Sequence, residues 1–243
     1  MNPTYDIIGV NYADLRRPDS RIAAAIDLAL GDARTVLNVG AGAGSYEPAG
    51  RAVTALEPSL EMIRQRPADA APVLRGVAED LPFGDRSFDA VMAVLTVHHW
   101  SDQAMGLAEL RRVARGPVVI LTFDPDHRGF WLTDYLPELI SIDEAQMPAM
   151  VSYADALGPV RISPVPIPHD CADGFLAAYW RRPAAYLDPR IRAAISCFWS
   201  IEGVKEKLDP LKRDLETGAW EAKYGHLLGQ ESFDLGYRLV VAG

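Results

Sequence analysis

Cysteine is scarce in this 243-residue chain: only Cys171 and Cys197 occur, in neither a CxxC nor a CxxxxC spacing. That leaves no disulfide framework and no thiolate zinc signature, and makes a reducing compartment the default. No uncharged apolar run approaches the roughly 18 residues needed to cross a bilayer. The start of the chain, MNPTYDIIGV, lacks the basic stretch and apolar run of a secretory signal. A cytoplasmic location is therefore expected. Positive charge is also in deficit, with 24 Lys and Arg against 33 Asp and Glu and a formal net charge of −9. That balance argues against general affinity for phosphate backbones or anionic membranes, so neither nucleic acid nor membrane is an expected partner. Internal repeats and low-complexity tracts are absent.

What the chain does contain is alternation. Short β-rich runs separate helical patterns over its first two-thirds, the signature of a parallel sheet covered by helices on both faces. Asp19 reads as the N-cap of a helix burying Ile22, Ile26 and Leu30, with Gly31 as the stop. Strands are expected at Thr35–Val39, Ala52–Leu56, Val73–Leu74, Phe88–Leu95 and Pro117–Phe123, with a helix opened by Asp102 before the fifth. Val160–Ile167 alternates with prolines and reads as an irregular or edge strand. Gly236–Ala242 reads as the final strand. The intervening stretch, 169–230, is helical in pattern and too long for a structureless loop. The expected organisation is an α/β Rossmann-like core of residues 1–168 and 231–243, carrying a helical lid or substrate insertion at 169–230.

The sharpest local signal is VLNVGAGAGSYEP, residues 36–48, in which a strand runs into Gly40, Gly42 and Gly44. Glycines there permit positive φ and let backbone approach a ligand with no Cβ in the way. The next strand ends in Glu57, followed by Pro58 and Ser59. A carboxylate at that tip is the expected ribose anchor of a nucleotide-binding unit, because it accepts bonds from both ribose hydroxyls. A dinucleotide fingerprint needs a third glycine where Ser45 stands; the spacing here is GxGxG, which disfavours NAD.

These motifs together resemble those of class I S-adenosylmethionine-dependent methyltransferases, particularly the group containing ubiquinone/menaquinone-type and small-molecule enzymes. VLNVGAGAG, with Asn38, Gly40, Ala41 and Gly42, is similar to the motif facing the methionine part of S-adenosyl-L-methionine. ALEPSLEMI resembles the second motif, with Glu57 at the ribose and Pro58, Ser59, Leu60 and Met62 near adenine. GVAEDLPFGDRSFDAV resembles the third, where Ala78 and Glu79 line the adenine pocket. AVLTVHHWSD resembles the fourth, with Val94 and Leu95 under the cofactor and His98, His99 and Trp100 at the mouth. The resemblance covers roughly Tyr5 to Phe123. It departs at Asn38 and at Val77, where the family often has acids, leaving adenine to backbone groups at Ala78 and to apolar packing. The N-terminal segment resembles the family's cap: Tyr5 or Tyr12 would cover the sulfonium, and Arg16 would pair with the methionine carboxylate.

The resemblance implies methyl transfer by in-line displacement to a small-molecule acceptor, with no metal among the expected ligands. Candidate bases are His98 or His99, Asp124 or His127, and His169 with Asp170; His98 and His169 are carried forward as the catalytic candidates. In the lid, Phe175, Tyr179, Trp180 and Tyr186 either cover an apolar acceptor or form the lid's own core. Two further readings are an enzyme of this fold that uses the cofactor without methylating, and a non-catalytic regulatory binding protein. The acceptor and the oligomeric state are left open by the sequence.

Overall fold

The computed structural model describes residues 15–243. Tyr5 and Tyr12 lie outside these residues. The described chain opens with α1 (Ser20–Ala29), capped by Asp19, whose carboxylate accepts from the Arg21 amide at 3.0 Å. There follow β1 (Thr35–Val39), β2 (Ala52–Glu57), the short α2 (Leu60–Arg64) and β3 (Val73–Arg75). Next come β4 (Ala90–Val94), α3 (Gln103–Val113) and β5 (Val118–Phe123), then α4 (Glu138–Gln146), α5 (Met150–Leu157) and β6 (Val160–Pro164).

These strands form one seven-stranded sheet in the order β3-β2-β1-β4-β5-β9-β6, closed by β9 (Tyr237–Ala242). β1 to β5 run parallel, while β9 slots antiparallel between β5 and β6, pairing Phe123 with Tyr237 and Pro164 with Arg238. This is the Rossmann-like α/β architecture expected from the alternation. The central strands are apolar on both sides, as a sheet sandwiched by helices requires. Val36, Met92, Val119 and Leu121 pack with Ile22 and Ile26 of α1 on one face. Leu37, Val91, Val118 and Ile120 pack with Leu107 and Leu110 of α3 and Tyr153 of α5 on the other.

Two strands differ from expectation. The fourth is shorter than Phe88–Leu95, because Leu95 takes φ 51°, a left-handed conformation that ends a strand, and Phe88 makes only an isolated bridge to Ala114. The proline-rich run divides: β6 ends at Pro164, and Ile167–Pro168 (β7) pairs instead with Ser232–Phe233 (β8) in a separate two-stranded sheet. Prolines at 164 and 166 remove amide donors at that divide.

Between β7 and β8 the chain makes short turns of 3-10 helix and four short helices, α6 (Pro189–Ala193), α7 (Val204–Lys207), α8 (Asp209–Thr217) and α9 (Ala219–Tyr224). Aromatic packing holds them to the core. Trp131 meets Trp220 edge-on at 5.3 Å and Tyr186 at 5.6 Å, and its indole N–H donates to the Trp180 carbonyl at 2.7 Å. Trp180 donates in turn to the Ile167 carbonyl at 3.1 Å. Among the described residues, no helix is long and apolar enough to cross a membrane.

Candidate cofactor-binding cleft

The strand order reverses between β1 and β4, and ligands of open α/β sheets bind outside the carboxyl ends of the strands at such a point. A cavity of about 260 Å³ opens there. Its floor is the bend after β1, where Gly40, Gly42 and Gly44 have φ of 68°, 53° and 95°. Leu56 anchors the bend by accepting from the Gly40 and Ala41 amides at 2.8 and 3.1 Å. Arg66, ion-paired with Glu47 at 2.6 Å, props it by donating to the Gly42 carbonyl at 3.2 Å.

Glu57 closes one side. One carboxylate oxygen accepts from the Gly42 amide at 2.8 Å and the other from the Ser59 amide at 2.9 Å, so the acid ties the glycine bend to the start of α2 while lining the cleft. Ser59 caps α2 by accepting from the Met62 amide at 3.2 Å, which sets Met62 against the cavity. Asn38 is buried, lines the cleft, and its Nδ2 has no partner among the described residues. A buried amide donor without a partner is costly unless a ligand completes it.

The opposite wall carries Val77, Ala78 and Glu79. Burial alone would raise Glu79, but bonds from the Asp102 amide, the Ser101 hydroxyl and the Ser101 amide outweigh it and hold the carboxyl below its ordinary value. Val94 and Leu95 at the end of β4, with Thr96, His99 and Trp100, complete the mouth. His99 is exposed to the cleft; desolvation by the surrounding walls, then the Arg16 charge, pushes its pKa down to about 4. The His98 ring lies tilted against it with centroids 3.9 Å apart and is also lowered well below its ordinary value, by burial first and then by His99 and Arg16. Both imidazoles are thus neutral at neutral pH.

This cleft has relatives of known structure. The chain matches, over 94% of its length and 99% of the other's, a crystal structure described as a methyltransferase from an antibiotic biosynthesis pathway of Anabaena variabilis, with 35% identity and a TM-score of 0.87. The chain belongs to the class I S-adenosylmethionine-dependent methyltransferases. Residues 37–120 match the methyltransferase domain family. Rice 2-methyl-6-phytyl-1,4-hydroquinone methyltransferase 2 (Oryza sativa subsp. japonica) is 33% identical over 91 residues, 36% of this chain and 26% of that protein. Demethylmenaquinone methyltransferase of Renibacterium salmoninarum is 31% identical over 148 residues, 57% of this chain and 62% of that protein. The chain spans only about a quarter of the rice enzyme's length.

Within this methyltransferase fold, the residues singled out from the sequence fall as follows. Asn38, Gly40, Ala41, Gly42, Glu57 and Pro58 all line the one cleft, as do Met62, Ala78, Glu79, Val94 and Leu95. Arg16 lines it too, but its guanidinium pairs with Asp173 at 2.5 Å. His98 faces a second, adjoining cavity rather than the cleft itself. His169 is not brought to the cleft; its Nε2 lies 3.3 Å from Glu231, beside the β7–β8 pair. Asp124 sits 3.6 Å from Arg238, and His127 borders a small cavity farther along the sheet edge. Of the lid aromatics, Phe175 borders the second cavity, whereas Trp180 and Tyr186 are wholly buried in the core. Among the described residues, no group of three or more His, Cys, Asp or Glu is arranged to hold a metal.

Four contributors escaped the sequence reading: Tyr46, Thr96, Asp173 and Asp143. Tyr46 lies inside the glycine motif but was not marked out, because its φ of 62° belongs to the bend rather than to any periodic pattern.

Proposed function

We propose that this chain transfers the methyl group of S-adenosylmethionine to a small-molecule acceptor. The observation that carries the reading is one cavity at the sheet's switch point, lined together by the glycine bend, the β2 carboxylate and the orphan amide of Asn38. When bound, the cofactor supplies a methyl carbon already activated by a sulfonium.

The chain's own groups hold and align. The bend at Gly40–Gly42 seats the methionyl end with no Cβ in the way. The Asn38 Nδ2, buried without a partner among the described residues, would donate to an acceptor at the cofactor's methionyl end. Glu57 takes the ribose hydroxyls through oxygens that the Gly42 and Ser59 amides already fix in direction. Met62, Val77 and Ala78 supply apolar contact for adenine. Neutral His98 and His99 add no positive charge near a cation and keep a lone pair able to accept a hydrogen bond. Alignment of this kind supplies about 7–11 kcal/mol in favourable cases. The segment 169–230 serves as lid and acceptor wall over a core made by the rest of the chain, and its free Cys197 suits a reducing, cytoplasmic setting.

Calorimetry with S-adenosylmethionine and S-adenosylhomocysteine tests the binding half, and release of S-adenosylhomocysteine with candidate acceptors tests the transfer half. Glu57→Ala is expected to weaken S-adenosylhomocysteine binding by about 1–3 kcal/mol, through lost charge-assisted bonds. Unchanged affinity in a folded variant removes Glu57 from the site, and no binding by the unaltered protein overturns the proposal.

A further inference from the structure

A second cavity, about 80 Å³, adjoins the cleft and shares two wall residues with it, Arg16 and Leu95. Leu95 is one of only a few described non-glycine residues with positive φ, at 51°, and its amide is held by the Leu121 carbonyl at 2.8 Å. A leucine kept in that conformation costs energy, and such strain gathers where a fold must shape a site. Leu95 thus lines both spaces.

The second cavity's walls come from both parts of the chain. Phe123 and Tyr237 rise from the sheet, and Phe175 and Ile195 descend from the segment after β7. The polar lining comprises Gln146, Ser196, Cys197 and the Tyr237 hydroxyl, together with His98, Asp143 and Arg16. His98 presents a neutral imidazole. Asp143 is pushed up to about 7 by burial, opposed only by the Arg128 charge. Arg16, the one cation among the described residues that line the cavity, is engaged by Asp173 at 2.5 Å. Among the described residues, an anionic ligand therefore meets no wall cation other than Arg16, which already holds a carboxylate.

We propose that this second cavity holds the methyl acceptor, an uncharged, mainly aromatic or apolar molecule whose hydroxyl donates a hydrogen bond to His98. The proposal rests on the cofactor reading above and narrows it: carboxylates, phosphates and diphosphates are excluded as anchoring groups. His98 is then the hydrogen-bond acceptor that orients the hydroxyl, and Asp143 lines the same space.

Phenol, toluene and benzoate serve as probes of this chemistry, titrated into protein saturated with S-adenosylhomocysteine and followed by saturation-transfer NMR. Saturation is measured first, so a failure there bears on the cofactor reading alone. Phenol is expected to bind about tenfold more tightly than toluene, the difference one hydrogen bond makes, and benzoate to bind at least tenfold more weakly than phenol. His98→Ala is expected to erase the preference of phenol over toluene without changing toluene binding. Ile195→Trp, or the less buried Ser196→Phe if that variant does not fold, is expected to abolish phenol binding while S-adenosylhomocysteine still binds. Benzoate binding as tightly as phenol, or phenol binding that survives the filled cavity, overturns the proposal.

Discussion

Asp173→Ala is expected to reduce the free energy of unfolding by about 3–5 kcal/mol, the range for stripping one partner from a buried ion pair. The carboxylate is 1% exposed. One oxygen takes the Arg16 Nε at 2.5 Å and the other accepts from the Tyr46 hydroxyl at 2.9 Å. Burial, reinforced by the Asp173 charge, raises Tyr46 far above its ordinary range, so the phenol stays a donor. Nearby, Asp19 accepts from the Ala172 amide at 3.1 Å and from Arg21, and Arg21 also reaches Asp170 at 2.8 Å. Alanine at 173 removes the shared acceptor from this cluster and leaves the Arg16 charge enclosed without its carboxylate. Urea denaturation checks the size of the effect: the midpoint should fall with the slope unchanged. Asp173→Asn, which keeps an acceptor for Tyr46 but loses the charge, should fall between alanine and the unaltered protein. Replacing the pair together, Arg16→Met with Asp173→Leu, should recover much of the loss, because the desolvation burden goes with the charges. A loss below about 1 kcal/mol for Asp173→Ala would show that the pair does not hold the two regions together.

The same cluster marks where sequence reasoning stops. The glycine spacing and the acid at the tip of β2 were legible, because each is a local pattern with a local physical cause: positive φ for Gly40, Gly42 and Gly44, and a strand end that aims Glu57 at the bend. The β-rich runs were legible for the same reason, since a strand buried on both sides reads as an unbroken apolar stretch. Arg16 and Asp173 are 157 positions apart, and no spacing rule links them. Arg16 reads from the sequence as a partner for the cofactor; the fold sets it in the cleft wall and adds an internal carboxylate at its Nε that no local pattern announces. The fourth strand reads too long at both ends: Phe88 makes only an isolated bridge, and Leu95 takes a positive φ that contradicts its propensity and that only tertiary context holds. The lid aromatics were ambiguous by nature. Trp180 and Phe175 stand five positions apart, yet one spends its N–H on the Ile167 carbonyl inside the core while the other faces a cavity. His169 carried the weight of its position before the insertion, and the pairing of β7 with β8 turns that position away from the cleft.

Gly40→Ala is expected to be the most damaging of the three alanine substitutions in the bend after β1. The three glycines of the bend look equivalent in sequence, but their surroundings are not. At Gly40 a Cβ would collide with the Thr96 side chain, which is itself buried against the end of β4. At Gly42 the nearest atom is the flexible Met62 Cε at 3.3 Å, and at Gly44 the contacts begin at 3.5 Å, ordinary packing distance. All three pay the left-handed conformational penalty of about 1–2 kcal/mol. Only Gly40 adds overpacking of about 1–3 kcal/mol, so its alanine variant should lose about 2–5 kcal/mol in total, against about 1–2 for Gly42→Ala or Gly44→Ala. The damage should also reach the ligand, because the Gly40 and Ala41 amides hang from the Leu56 carbonyl and any shift of the bend tilts them together. S-adenosylhomocysteine affinity should therefore fall at least tenfold in whatever fraction of Gly40→Ala remains folded, while Gly44→Ala stays within a few fold. Thr96→Gly separates the two contributions. In the Gly40→Ala background it removes every atom the new methyl would strike, and should restore the steric part while leaving the conformational part, a coupling of about 1–3 kcal/mol in a double-mutant cycle. Equal losses at all three glycines, with no coupling to Thr96, would mean that the bend has room to relax and that backbone conformation alone fixes its shape.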